Sequence, residues 1–213
     1  MAGTFCVGVR FPGIPGLDYA AVKEGGRGIM QPLTAAEYRG FADSVYSEGA
    51  KGIYLFNLFV PPKATSAWNA VLSEGLSPEA VGAGERSYFT SYHENSLPGE
   101  RGFQAPVSLN VRRELKFRTC APLAEGMSLV LHLAFDAAVA DAFARSVRLN
   151  GIVPVLHSEE PKTAWLPEKS KSVFSLRLEF PAEAFKRGMN IVSVPAAQGI
   201  TLRAGELELK KRR

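Results

Sequence analysis

Thr34–Phe59 reads TAAEYRGFADSVYSEGAKGIYLFNLF, and this stretch decides the fold. Thr34 followed by Glu37 has the form of a capping box, in which the hydroxyl accepts from the Glu37 backbone N–H and the carboxylate reaches back to Thr34. Tyr38, Phe41, Ala42 and Val45 recur at spacings of three and four, which gives a helix one apolar stripe and leaves Asp43 and Glu48 on its exterior. Gly49 stands where a left-handed residue would stop that helix. Ile53-Tyr54-Leu55-Phe56 then carries apolar side chains at successive positions, the mark of a strand buried on both faces in a parallel sheet. With Phe5–Val9 as an earlier short strand, the order strand, loop, helix, strand predicts a βαβ unit.

Working outward, Pro12, Gly13, Pro15 and Gly16 end the first strand. Gly25-Gly26-Arg27-Gly28 lacks the spacing of a phosphate cradle and does not directly follow a strand. Beyond Pro61 and Pro62, Ser66–Glu74 predicts a short helix with Trp68, Val71 and Leu72 on one side and Gly75 as its stop. Residues 77–104, rich in glycine with scattered aromatics, read as an irregular surface connector.

Near Ala105 the period of the sequence changes from 3.6 to 2. Leu129, Leu131 and Leu133 alternate with Val130, His132 and Ala134, and Phe174, Leu176, Leu178 and Phe180 alternate with Ser175, Arg177 and Glu179. Leu207 and Leu209 alternate with Glu206, Glu208 and Lys210, and Asn150-Gly151 is a hairpin-turn signal. Several short alternating strands separated by turns predict a two-sheet antiparallel sandwich. The expected class is therefore α+β: a βαβ segment over residues 1–76, the connector, and a β-sandwich over 105–213.

Composition bounds the function. With 213 residues, 46% of them hydrophobic, the chain can bury a real core, and no apolar run of about 18 residues is present to span a membrane. The N-terminal residues do not have the form of a signal peptide, and the compartment stays unassigned. Cys6 and Cys120 lie in strand-like runs without zinc-site spacing, and His93, His132 and His157 are far apart, so neither metal nor cofactor is expected. The net charge of +4 is matched by Lys210–Arg213, four consecutive basic residues, which read as a solvated end rather than a phosphate-binding surface. Nucleic acid and membrane are accordingly not expected as partners.

Two family resemblances attach to these residues. Leu33, Thr34, Tyr38, Arg39, Ala42, Gly49, Ala50, Gly52, Ile53, Tyr54, Leu55, Phe56, Asn57 and Phe59 resemble the last helix and eighth strand of family-10-like bacterial glycoside hydrolases, with Lys51 where that family more often has Asp. The resemblance implies the final units of a (β/α)8 barrel. Val147-Arg148-Leu149-Asn150-Gly151, Phe180-Pro181-Ala182, Phe185, Gly188, Asn190 and Ile191 resemble galactose-binding-type jelly rolls. A full barrel needs about 250 residues. The two resemblances thus imply a partial barrel followed by a jelly roll, with self-association or another barrel segment covering the apolar strands.

In such barrels strand ends carry the site, which marks Arg10 and Asn57 as candidate hydrogen-bond donors to sugar hydroxyls or a carboxylate. Trp165 and Tyr92 are candidates for stacking on a sugar ring, with Tyr88 beside them; as plain structure, Trp165 is a loop anchor. Glycoside hydrolysis usually takes two facing carboxylates. Asp18, Glu24, Glu37, Asp43 and Glu48 supply no pair pinned to strand ends, and no catalytic residue is assigned. Arg112–Arg118 alternates charge with apolar residues, as the solvated face of a strand does. The expectation is a glycoside-hydrolase-like polypeptide, not catalytic by itself, whose sandwich binds carbohydrate or braces a barrel. An active glycosidase completed by further strands and a protein-binding scaffold are the rivals.

Overall fold

The computed structural model describes residues 6–9, 34–55, 71, 73–89, 105, 107–159 and 174–212. Strand β1 (Cys6–Val9) pairs in parallel with β2 (Gly52–Leu55), Cys6 opposite Gly52 and Val9 opposite Leu55. Helix α1 (Ala35–Ser47) stands between them in the chain. Its capping box is formed as the sequence predicts: Glu37 N–H donates to Thr34 Oγ1 at 3.2 Å and the Thr34 N–H donates back to the Glu37 carboxylate. Gly49 ends the turn at φ 90°, a conformation that a Cβ would strain.

Most of the described regular structure is antiparallel sheet. Three strands, β5 (Arg113–Thr119), β10 (Gly188–Val194) and β7 (Arg148–Leu149), form one sheet in that order. The larger sheet runs β3 (Arg86–Phe89), β11 (Thr201–Lys211), β6 (Met127–Phe135), β9 (Phe174–Phe180) and β8 (Leu156–Glu159), with β4 (Val107–Ser108) also pairing β11. Two short helices, α2 (Pro78–Ala83) and α3 (Asp141–Ser146), and a single 3-10 turn at Ala182–Ala184 accompany the sheets.

The period-2 pattern builds one core. Leu115 and Phe117 of β5 and Val192 and Val194 of β10 pack with Leu129, Leu131 and Leu133 of β6, Leu176 and Leu178 of β9, and Leu207 and Leu209 of β11. Each such side chain contributes roughly 1.5–3 kcal/mol on burial. Strand β6 is buried along nearly its whole length, because Val130, His132 and Ala134 on the face away from this core are covered as well.

Several expectations are corrected. Residues 78–83 and 86–89 are not irregular: Ser77 caps α2 through a hydrogen bond from the Ala80 N–H, Pro78 takes a first-turn position that needs no donor, and β3 is a mostly buried strand paired with β11. Asp43 does not face solvent but is 1% exposed. Tyr88 is 3% exposed and cannot present its ring to a sugar. Lys210 and Lys211 are not a loose end; they complete β11, with the Lys210 ammonium 3.3 Å from Glu208.

The cause of the Asp43 error is the face by which α1 docks. Arg39, Gly40 and Asp43 are buried, together with Tyr38 and Ala42, while Phe41 and Val45 are only half-buried. The helix packs against β3 and β5. Gly40 permits this approach, since a Cβ there would lie 1.9 Å from the Ser87 carbonyl oxygen.

Candidate functional site

Of the residues singled out as site candidates, Arg10, Asn57, Tyr92 and Trp165 all lie outside the described residues, as do Asp18, Glu24 and His93. Three polar clusters stand among the described residues, and each answers a different question about function.

The first joins α1 to the sheets. Asp43 Oδ2 accepts from the Tyr88 hydroxyl at 2.7 Å and from the Cys120 N–H at 2.9 Å, and Oδ1 accepts from the Ala121 N–H at 2.8 Å. Arg86, fully buried, places Nη1 3.6 Å from Asp43 Oδ2 and donates to the Ala121 and Pro122 carbonyls. A buried carboxylate with three donors and a guanidinium is compensated only while the helix stays docked. Burial pushes the Tyr88 hydroxyl well above the ordinary tyrosine range, with Arg86 opposing the shift and Asp43 reinforcing it. Arg39 pairs with Glu74, Ser44 donates to the Arg118 carbonyl at 3.0 Å, and exposed Glu48 pairs with Arg118 at 2.5 Å. The chemistry of this cluster is attachment.

The second cluster sits under the Leu149–Ile152 turn. Asn150 and Gly151 take φ 51° and 88°, and Leu149 and Ile152 exchange two backbone hydrogen bonds of 2.9 Å, so the hairpin signal is a tight turn. Asn190, fully buried, donates from Nδ2 to Thr119 Oγ1 at 3.1 Å and to the Lys186 carbonyl at 2.8 Å. Its Oδ1 accepts from Asn150 Nδ2 at 2.9 Å and from the Lys186 N–H at 3.0 Å. The Ile191 N–H donates to Asn150 Oδ1 at 2.9 Å. The asparagines that carry the jelly-roll resemblance thus spend their hydrogen bonds on the fold, tying β7, β10 and the end of β5 together.

The third cluster crosses the coreless face of the larger sheet. Register places Phe89, Glu206, His132, Arg177 and Ser158 in one row over β3, β11, β6, β9 and β8. His132 is buried with Nε2 2.7 Å from Glu208 Oε2, and its Nδ1 has no partner; neither has Ser158 Oγ. Ser87 donates to Glu206, and Arg177 pairs with Glu179. Glu206 and Glu208 project from one face of β11, two residues and so about 7 Å apart along the strand. That spacing alone would suit paired carboxylates in glycoside hydrolysis. Their surroundings do not: Glu206 is buried and bonded by Ser87, and Glu208 is held by His132 and Lys210. Among the described residues no group of three or more His, Cys, Asp or Glu side chains is arranged to hold a metal ion. No helix among them is long and apolar enough to cross a membrane.

No family model and no curated protein matches the sequence. The chain is similar to the solved structure of a β-porphyranase of glycoside hydrolase family 86 from the human gut bacterium Bacteroides plebeius, with a TM-score of 0.37 and 16% identity. The match covers 60% of this chain and 20% of that one, so the chain spans about a fifth of that enzyme's length.

Proposed function

We propose that this chain is the barrel-bracing, carbohydrate-associated part of a glycoside-hydrolase-like protein, with residues 1–76 the last units of a (β/α) barrel and a jelly-roll sandwich behind them. One observation carries the reading: the only described helix between parallel strands is fastened to the two-sheet region by the buried Asp43–Arg86–Tyr88 cluster. A sandwich that merely followed a barrel on a linker would not bury a carboxylate and a guanidinium to hold it. The sequence resemblances over Leu33–Phe59 and Val147–Ile191 support this reading of the two pieces. The chain is not catalytic by itself in this reading, since the two carboxylates that stand side by side, Glu206 and Glu208, are bonded to Ser87, His132 and Lys210.

A glycan array probed with the full chain, with Trp165→Ala beside it, tests the carbohydrate half. Binding to a glycan that is lost on Trp165→Ala supports it; a chain that binds no glycan, neutral or acidic, removes it and leaves a protein-binding scaffold. Release of reducing sugar from a polysaccharide by this chain overturns the non-catalytic assignment.

A further inference from the structure

The outer face of the three-stranded sheet is a separate surface. Strand β5 buries Leu115, Phe117 and Thr119 and turns Glu114, Lys116 and Arg118 outward. Register sets Met189 beside Arg118, Ile191 beside Lys116, and Ser193 between Glu114 and Arg148. Arg112 folds onto the same face, its Nε donating to Ser193 Oγ. At the near end, Lys186 and Arg187 are exposed where Gly188 pairs Thr119.

Arg112, Lys116, Arg118 and Arg148 stand on this face beside Glu114, with Glu48 paired to Arg118 and the Arg148 Nη1 donating to the Arg145 and Val147 carbonyls, and Lys186 and Arg187 follow at its end. Outward residues along a strand are about 7 Å apart and neighbouring strands about 4.8 Å. Those spacings fall within the roughly 8 Å screening length at physiological salt, so the charges act as one field. The pair between Arg118 and Glu48 is exposed at both ends, 51% and 57%, and an exposed pair of that kind is held by about 0–1 kcal/mol, which a polyanion can displace. Between the cations lie Ile191, Met189 and Ser193, and among the described residues of β5, β10 and β7 on this face none is aromatic, as a stacking platform for nucleic-acid bases would be.

We propose that this face docks an acidic polysaccharide, its sulfate esters or uronate carboxylates lying across Arg112, Lys116 and Arg148. The assignment rests on the carbohydrate-associated reading above and narrows it to a charge class. Guanidinium groups accept such anions with paired N–H donors, and the ammonium adds a point charge.

Binding of the full chain to dextran sulfate, polygalacturonate, neutral dextran and a single-stranded oligonucleotide, followed by calorimetry at two salt concentrations, tests it. Dextran sulfate or polygalacturonate should bind, more weakly at higher salt, and whichever of the two binds names the anion. The Arg112→Glu/Lys116→Glu variant should weaken that binding at least about tenfold, while Lys211→Glu/Arg212→Glu, the same charge change at the end of the other sheet, should leave it within about twofold. Equal losses in both variants would reduce the effect to diffuse charge and overturn the assignment. Neutral dextran bound as tightly, or the oligonucleotide bound as tightly and lost with the same variant, would also overturn it. If the array finds neutral glycans and both acidic polymers fail, this inference falls alone; if every glycan fails, the carbohydrate reading falls with it.

Discussion

Replacing Asp43 by Asn tests the join between helix and sheets at nearly constant volume. In the native cluster three donors point at the carboxylate: the Tyr88 hydroxyl, the Cys120 N–H and the Ala121 N–H. An amide oxygen can still accept from Ala121, and the Tyr88 hydroxyl can turn to accept from the new amide. The Cys120 N–H then faces another donor, at a cost of about 1–3 kcal/mol for an unsatisfied buried group. Arg86 also loses its counter-ion while remaining fully buried. Breaking a buried pair from one side costs about 3–5 kcal/mol, which sets the expected loss for the variant. At roughly 2–4 °C per kcal/mol for a chain of this size, Tm should fall by about 6–20 °C. Tyr88→Phe removes one hydrogen bond and should cost only about 1 kcal/mol. Thermal unfolding gives the totals, and amide exchange shows whether α1 opens before β6. A drop in Tm under about 2 °C for Asp43→Asn, with α1 amides as protected as before, would refute the claim that this cluster holds the helix in place.

Other expectations follow from the same geometry. Gly40→Ala improves helix propensity by about 1 kcal/mol, yet it must push α1 off the Ser87 carbonyl; net destabilisation of about 1–3 kcal/mol should appear in urea unfolding. Asn190→Ala leaves the Lys186 N–H without its acceptor and takes one hydrogen bond each from the Asn150 amide and the Thr119 hydroxyl, and its urea midpoint should fall by the equivalent of about 2–5 kcal/mol. At alkaline pH, burial keeps Tyr38 and Tyr88 protonated in the fold, with Glu37 adding to the shift at Tyr38 and Asp43 at Tyr88. Both raised groups stabilise fully below the unfolded tyrosine value of about 10. Above it the unfolded chain loses those protons first, so stability should fall with rising pH, and Tyr88→Phe should flatten that slope. Asp136 gives the opposite sign. Burial raises its carboxyl, but the Thr201 backbone and hydroxyl and then Arg203 outweigh that and leave it low. The stability difference between the native chain and Asp136→Asn should be largest above the unfolded aspartate value of about 3.9 and vanish as pH falls through the folded one.

What was legible in the sequence was whatever repeats with a regular period or needs a special backbone. Thr34 and Glu37 announced a helix start, Asn150-Gly151 a tight turn, and the alternating leucines of β6, β9 and β11 a sheet pair with one shared core. The docking face of α1 was not legible, because it is made of Arg39, Gly40 and Asp43, and hydrophobic periodicity is blind to a face built on close approach and a buried charge. Strand β3 was hidden for a related reason. Arg86 opens it, and a fully buried arginine scores as surface until Asp43, 43 positions upstream of it by number, is brought beside it. Tyr88 misled in the same way: its ring looked free to stack on sugar, while its hydroxyl was committed to the helix. The charged row through His132 showed only as polar letters on alternating strands, and its members meet only once five strands are in register.

The pairing of β3 with β11 has a bearing on where this chain can be cut. Glu206–Leu209 lies hydrogen-bonded to Arg86–Phe89, more than a hundred positions earlier. A fragment begun at Ala105 for crystallography or display would carry every leucine of the core yet leave that stretch of β11 with a bare rim of amides and carbonyls. Glu206 would lose the Ser87 hydroxyl at the same stroke. Such a piece should pair with itself along the open rim and come off a sizing column as multimers, whereas one begun at Thr34, which keeps α1 against β3, should not.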